Sequence, residues 1–163
     1  MTFGILSDTH NYFHPVLPEV LANVDVILHA GDVGTPEVLD ALEAIAPVRA
    51  VYGNIDGQAI KHRAPEFQRF QTEGVRFLMT HIGGRPGRWP KGIGPLLDRE
   101  RPDVFICGHS HILRIERVKA LGGMLYLNPG AAGQQGFHTV KTCVRLIVEG
   151  GKTTQAEVVH LDT

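Results

Sequence analysis

Apolar runs alternate with polar, glycine-marked breaks along the first third of the chain. Phe3-Gly4-Ile5-Leu6, Val24 to His29 and Val48 to Tyr52 each read as a short buried strand. Pro15 to Ala22 reads as a short helix, because proline is tolerated in a first turn. A second helix begins at Pro36, with Thr35 placed to cap it. Its apolar stripe is Val38, Leu39, Leu42 and Ile45, and it ends at Ala46. Strand and helix in alternation predict βαβ units around a parallel sheet.

The pattern then changes. Phe67 to Gln71 and Val75 to Thr80 flank Thr72-Glu73-Gly74, which predicts a hairpin ending at His81. A loop rich in glycine, proline and arginine runs from Ile82 to Gly92, followed by a helix from Gly94 to Glu100. Further strands are expected at Val104 to Ile106, Leu113 to Ala120, Met124 to Leu127, Thr142 to Val148 and Gln155 to Leu161. This half reads as antiparallel. No repeat, low-complexity tract or linker divides the chain, so one domain over residues 1–163 is expected.

Composition narrows the class. With 163 residues, 43% of them hydrophobic and 20% charged, the chain can bury a sizeable core. A net charge of -1 argues against nucleic-acid or membrane binding through charge alone. No apolar run approaches a membrane span, and Met1-Thr2-Phe3-Gly4 lacks a basic region before an apolar signal segment, so a cytoplasmic location is expected. Cys107 and Cys143 lie in apolar runs and are expected as buried free thiols. Apolar residues on the later strands would serve the core or a homo-oligomer.

Chemistry enters at the strand ends. Asp8 and His10, Asp32, Asn54, His81, and then His109 and His111 each follow a predicted strand. Ligands bind beyond the carboxyl ends of strands in open α/β sheets. Seven oxygen and nitrogen donors, with no thiolate, are too many for one tetrahedral ion and suit two ions sharing a carboxylate. Two divalent ions bring four positive charges and Asp8 with Asp32 removes two, so the site stays electropositive and favours a phosphate ester. Such a pair can hold a shared hydroxide for in-line attack on phosphorus.

Asp8-Thr9-His10, Gly31-Asp32, Gly53-Asn54, His81 and Gly108-His109-Ser110-His111 together resemble the calcineurin-like metallophosphoesterases. The short chain and Asn128-Pro129-Gly130 are similar to the small YfcE-type phosphodiesterase branch. The resemblance implies an α/β fold: a two-sheet β-sandwich flanked by helices in four αββα layers, with mixed parallel and antiparallel strands. It implies that Asp8, His10, Asp32 and His111 hold one ion and that Asp32, Asn54, His81 and His109 hold the other. Asp32 would bridge, and Asp32, Asn54 and His81 would also be catalytic. Manganese is the first expectation, with iron, nickel or zinc as other fits to N/O ligation. The substrate would be a small phosphoester, a diester before a monoester. The retromer subunit that shares the fold works by binding partners, so an interaction scaffold is the reading from another class.

Ile55 stands where many family members carry a histidine assigned as the acid for the leaving group, and isoleucine cannot donate a proton. Asp56 keeps a carboxylate nearby to orient ligands. Ala131 stands where serine is common. His29 is expected in the core or behind the ligands, and His14, His62, His138 and His160 at the surface or in loops. Arg85, Arg88 and Lys91 around Trp89 read as solvated loop charges, with one arginine able to reach a substrate phosphate. Gly83-Gly84 reads as a mobile point.

Overall fold

The computed structural model describes residues 1–162. Two five-stranded sheets form the centre. The first is ordered β10-β9-β1-β2-β3, from β1 (Thr2–Leu6), β2 (Val26–His29), β3 (Val48–Ala50), β9 (Thr142–Glu149) and β10 (Lys152–His160). The second is ordered β4-β5-β6-β8-β7, from β4 (Phe67–Thr72), β5 (Val75–Thr80), β6 (Val104–Ile106), β7 (Arg114–Val118) and β8 (Met124–Asn128).

Strand alternation explains the layers. Phe3 and Ile5 of β1 and Val104 and Ile106 of β6 meet between the sheets, in a core shared with Phe77, Met79, Leu127 and Val144. The opposite face of the first sheet is covered by α1 (Leu17–Val20), α2 (Pro36–Glu43) and α3 (Gln58–Lys61), through Leu17, Val38, Leu39, Leu42 and Ile60. Gly4 points to that outer face, where a Cβ would lie 2.5 Å from Leu21 Cδ2, so only glycine lets the layers close there. The outer face of the second sheet packs Phe105 and Tyr126 against Leu96 and Leu97 of α4 (Ile93–Glu100). Helix, sheet, sheet and helix make four αββα layers with mixed strand directions. No helix among the described residues is long and apolar enough to cross a membrane.

The later strands depart from the expected antiparallel half. β5, β6 and β8 run parallel, and only β4 and β7 at the edges are antiparallel to their neighbours. β9 and β10 leave that half: β9 pairs antiparallel with β1, and β10 pairs antiparallel with β9 at the sheet edge. Consequently the carboxyl ends of β1, β2 and β3 and those of β5, β6 and β8 form one rim. Thr35 ends extended before α2 but makes no side-chain cap bond. Helix α3 was not anticipated. Both cysteines are buried and free, and burial pushes each thiol up to about 12, which leaves them unreactive.

Candidate metal centre

The seven strand-end residues meet at this rim. Asp8 is reached by the amide of His109 across the gap between sheets (His109 N to Asp8 Oδ2, 3.1 Å), and Gly108 N donates to His81 O at 3.0 Å. Close approach requires glycine at two turns. A Cβ on Gly108 would lie 2.1 Å from Ser7 Oγ, and one on Gly53 would lie 2.1 Å from Asp32 Oδ1. Asn128 locks the histidine turn, donating from Nδ2 to Gly108 O at 3.0 Å and to Ser110 Oγ at 3.1 Å.

Each carboxylate has one oxygen tied to protein and one aimed inward. Asp8 Oδ2 accepts from the Ser7 hydroxyl at 2.6 Å, while Asp8 Oδ1 faces His111 Nε2 at 3.2 Å, His10 Nε2 at 3.7 Å and His81 Nε2 at 3.8 Å. Asp32 Oδ1 accepts from Ile55 N at 3.0 Å. Its Oδ2 lies 3.4 Å from His10 Nε2 and 3.2 Å from His81 Nε2. Asp8, His10 and His111 form one group whose donor atoms lie within 4.8 Å of one another, and Asp32, His81 and His109 form a second. Asn54 Oδ1 joins the second group by accepting from His109 Nδ1 at 3.0 Å. Asp32 therefore stands between the groups.

Imidazole tautomers are set from behind. His81 Nδ1–H donates to Ala30 O at 2.7 Å, which turns Nε2 towards both carboxylates, to pair with them when protonated and to offer its lone pair to a cation when neutral. His138 Nε2–H donates to Gly133 O at 2.7 Å, so its Nδ1 accepts from His111 Nδ1–H at 3.1 Å, and His111 Nε2 is left to face Asp8. His138 lies in a loop, within the expectation of a surface or loop position, and stands directly behind a site residue. The signal for it was absent, because it follows no strand. Gly136 supports the approach, since a Cβ there would lie 2.5 Å from His111 Nδ1. His14 lies in a loop, as one of its two expected placements, but is buried: Nδ1 accepts from Val16 N at 3.1 Å and Nε2 meets Asp162 at 2.6 Å. His62 and His160 are exposed.

Electrostatics follow from this geometry. Burial pushes the Asp8 carboxyl up, but the His10, His111 and His81 imidazoles and the Ser7 hydroxyl outweigh it and hold it well below the carboxylate range. Burial likewise opposes ionisation of Asp32, and His81 reverses the balance. His10 is raised, mainly by Asp8. His81 is raised because Asp32 and Asp8 overcome its burial. In the protein alone the aspartates thus favour the protonated form of the His10 and His81 rings. Even so, Asp8 Oδ1, His10 Nε2 and His81 Nε2 are buried without a hydrogen-bond partner. Buried polar atoms are rarely left so. Inward-facing O and N donors converging on shared space suit a divalent cation in each group.

Backbone strain marks the same residues. Asp8, His10, Asp32, His109 and His111 all have positive φ, between 45° and 71°. Each such conformation costs on the order of 1–3 kcal/mol and persists where surrounding bonds impose it. Asp56 supplies some of those bonds, as its carboxylate accepts from Val33 N, Gly34 N and Gly53 N at 3.2, 2.9 and 2.8 Å, tying the Asp32 turn to the Asn54 turn.

His29 lies wholly buried below the centre. Its Nδ1 accepts from Gly31 N at 3.1 Å, so the ring proton sits on Nε2, facing Thr9 Oγ1 at 3.0 Å. Burial lowers its pKa from 6.5 to about 4. Below pH 6.5 the unfolded chain takes up a proton that the native ring refuses, so stability is full above 6.5 and falls as pH drops towards 4. The loss reaches about 3 kcal/mol at roughly 1.4 kcal/mol per unit. In metal-free protein the raised His10 and His81 contribute a slope of the opposite sign, so the His29 share is read as the difference between wild-type and His29→Gln urea unfolding at pH 7 and pH 5. The variant should lose about one proton's share of the pH dependence, and an unchanged slope would contradict the assignment.

Relatives agree with the geometry. The model of the calcineurin-like phosphoesterase superfamily domain matches residues 1–151. A probable metallophosphoesterase of Methanothermobacter thermautotrophicus is 32% identical over 139 residues, covering 80% of this chain and 77% of that protein. A probable metallophosphoesterase of Methanocaldococcus jannaschii is 34% identical over 137 residues, covering 80% and 68%. Zinc-complexed Vps29 from Entamoeba histolytica has the same fold, with a TM-score of 0.73 and 20% identity over 99% of this chain and 100% of that one. With the αββα layers, the paired donor groups and the match over nearly the whole sequence together, the chain belongs to the calcineurin-like phosphoesterase superfamily.

Proposed function

We propose that this chain, as one domain, hydrolyses small phosphodiesters with two divalent cations. Asp8, His10, Asp32 and His111 would hold one, and Asp32, Asn54, His81 and His109 the other. The observation that carries this reading is the set of buried, unpartnered atoms Asp8 Oδ1, His10 Nε2 and His81 Nε2, all facing one space. The ions would supply Lewis-acid activation of water and neutralise charge developing at phosphorus. Manganese is the first choice, with iron, nickel or zinc fitting the same donors.

The protein's own part is orientation. Ala30 O fixes the His81 ring, the Ile55 amide holds Asp32 Oδ1, and Asn54 and His109 on the exposed side would meet the substrate first. Ile55 offers no proton, so the chain favours leaving groups that depart with little protonation. Bis-p-nitrophenyl phosphate should be hydrolysed faster than p-nitrophenyl phosphate, and chelation should abolish both activities. Turnover indifferent to complete metal removal would refute this function, and a faster monoester would reverse the substrate order. Protein that takes up no metal but captures a partner would favour the scaffold reading.

His138 serves this site as a positioning residue. His138→Leu, which removes the acceptor for His111 Nδ1–H, should weaken binding of one manganese ion by about 10–100-fold in an electron-paramagnetic-resonance titration. His138→Gln, which keeps an acceptor, should restore most of it. Wild-type affinity in the leucine variant would contradict the role.

A further inference from the structure

Two cavities flank the second donor group, separated by Ile82 and Pro90. One, of about 490 Å³, opens beside Asn54 and His81; the other, of about 410 Å³, opens beside His109 and Ser110. Each lies within the size range of small-molecule sites, roughly 300–1,000 Å³. A phosphodiester has two ester arms, and a phosphorus placed between these mouths sends one arm to each side. This inference rests on the diesterase reading above.

The cavities differ in charge. Glu66 lines the larger one, together with Lys91, Arg99 and Arg69, the last paired with Glu100. The smaller has no carboxylate in its lining, and Arg85, Arg88 and Arg114 face it. Arg114 is paired with Glu116 at 2.7 Å, but Arg85 and Arg88 make no side-chain ion pair or hydrogen bond among the described residues. Its other walls include Ile112 and Ile82, which are 63% and 44% exposed, large apolar surfaces left open beside a polar centre.

These arginines stand on a rigid mount. Arg85 and Arg88 form a backbone bridge, with Arg88 N donating to Arg85 O at 2.9 Å. Trp89 packs on the rings of Phe105 and Tyr126, 6.0 and 5.9 Å between centroids, and the Tyr126 hydroxyl donates to Gly84 O. Gly83 lies close against Cys107: a Cβ there would lie 2.6 Å from Cys107 Cβ. The backbone that carries both arginines is held in place and neither guanidinium is paired among the described residues, so both are free to meet an anion through charge-assisted hydrogen bonds.

We propose that the His109-side cavity seats one arm of the substrate, and that this arm is a largely apolar or flat group carrying a second anionic group held by Arg85 and Arg88, as in a nucleotide. The test compares the dinucleotide ApA with its 5′-phosphorylated form pApA. Calorimetric binding to the metal-free protein and kcat/KM of the metal-loaded protein should both favour pApA at least tenfold. The Arg85→Gln/Arg88→Gln variant should bring both ratios to within about twofold of one. Equal binding of the two dinucleotides to the wild-type protein, or a preference that survives in the variant, overturns the proposal. Hydrolysis of bis-p-nitrophenyl phosphate in the same preparations separates the two readings. If it proceeds without a dinucleotide preference, only the cavity proposal falls. If it fails while the binding preference holds, only the diesterase reading falls.

Discussion

Asp32→Asn lowers kcat on bis-p-nitrophenyl phosphate by at least about a thousandfold, or about 4 kcal/mol of barrier, and reduces bound metal from two ions per chain to one or none. The substitution is close to isosteric and keeps an oxygen to accept from Ile55 N, so the turn that carries it survives. What disappears is the charge between His10 Nε2 and His81 Nε2, at 3.4 and 3.2 Å, closer to both donor sets together than Asp8 Oδ1, which lies 3.7 and 3.8 Å from the same two atoms. Metal analysis after dialysis, with rates measured in the same samples, checks both parts. A variant retaining two ions and activity within tenfold of wild type would remove Asp32 from the bridging position.

Metal itself is expected to be the largest determinant of stability. Without ions, two aspartates and four histidines crowd one rim, three buried polar atoms have no partner, and five strained residues are held in place. An ion present at 1,000 times its Kd contributes about 4 kcal/mol, so two contribute about 8. For a chain of this size each kcal/mol moves Tm by roughly 2–4 °C, so saturation raises Tm by roughly 15–30 °C. The effect shrinks as pH falls. His10 and His81 have raised pKa values in the metal-free protein and must shed protons to bind, so acid competes with metal. Thermal melts with manganese and with chelator at pH 8 and pH 6 should show the larger shift at pH 8. A shift of under 3 °C at both would contradict the cage.

Much of the site was legible because buried strands betray themselves. Phe3 to Leu6, Val26 to His29, Val75 to Thr80 and Val104 to Ile106 are apolar runs, and the polar residue that ends each run lies at the rim. Strand direction was not legible. Side-chain alternation is the same in parallel and antiparallel strands, so the parallel trio β5, β6 and β8 and the return of β9 to β1 could not be read from pattern. Helix α3 escaped because its four residues bury only Ile60.

Features that depend on tertiary approach were hidden for the same reason. His138 follows a glycine-rich loop, and only the fold brings its Nδ1 within 3.1 Å of His111. The loop from Ile82 to Gly92 has the composition of a flexible segment. Its stiffness comes from Trp89 lying against Phe105 and Tyr126, residues distant in sequence. The positive φ values at Asp8, Asp32 and His109 had a faint trace in sequence, since aspartate and histidine tolerate that region better than most side chains.

Crystals grown with manganese, measured at its absorption edge, give the decisive anomalous map. Two peaks are expected, one bounded by Asp8, His10 and His111 and the other by Asn54, His81 and His109, with Asp32 touching both. A single peak, or peaks that leave Asp32 unligated, would contradict a two-cation centre in this chain.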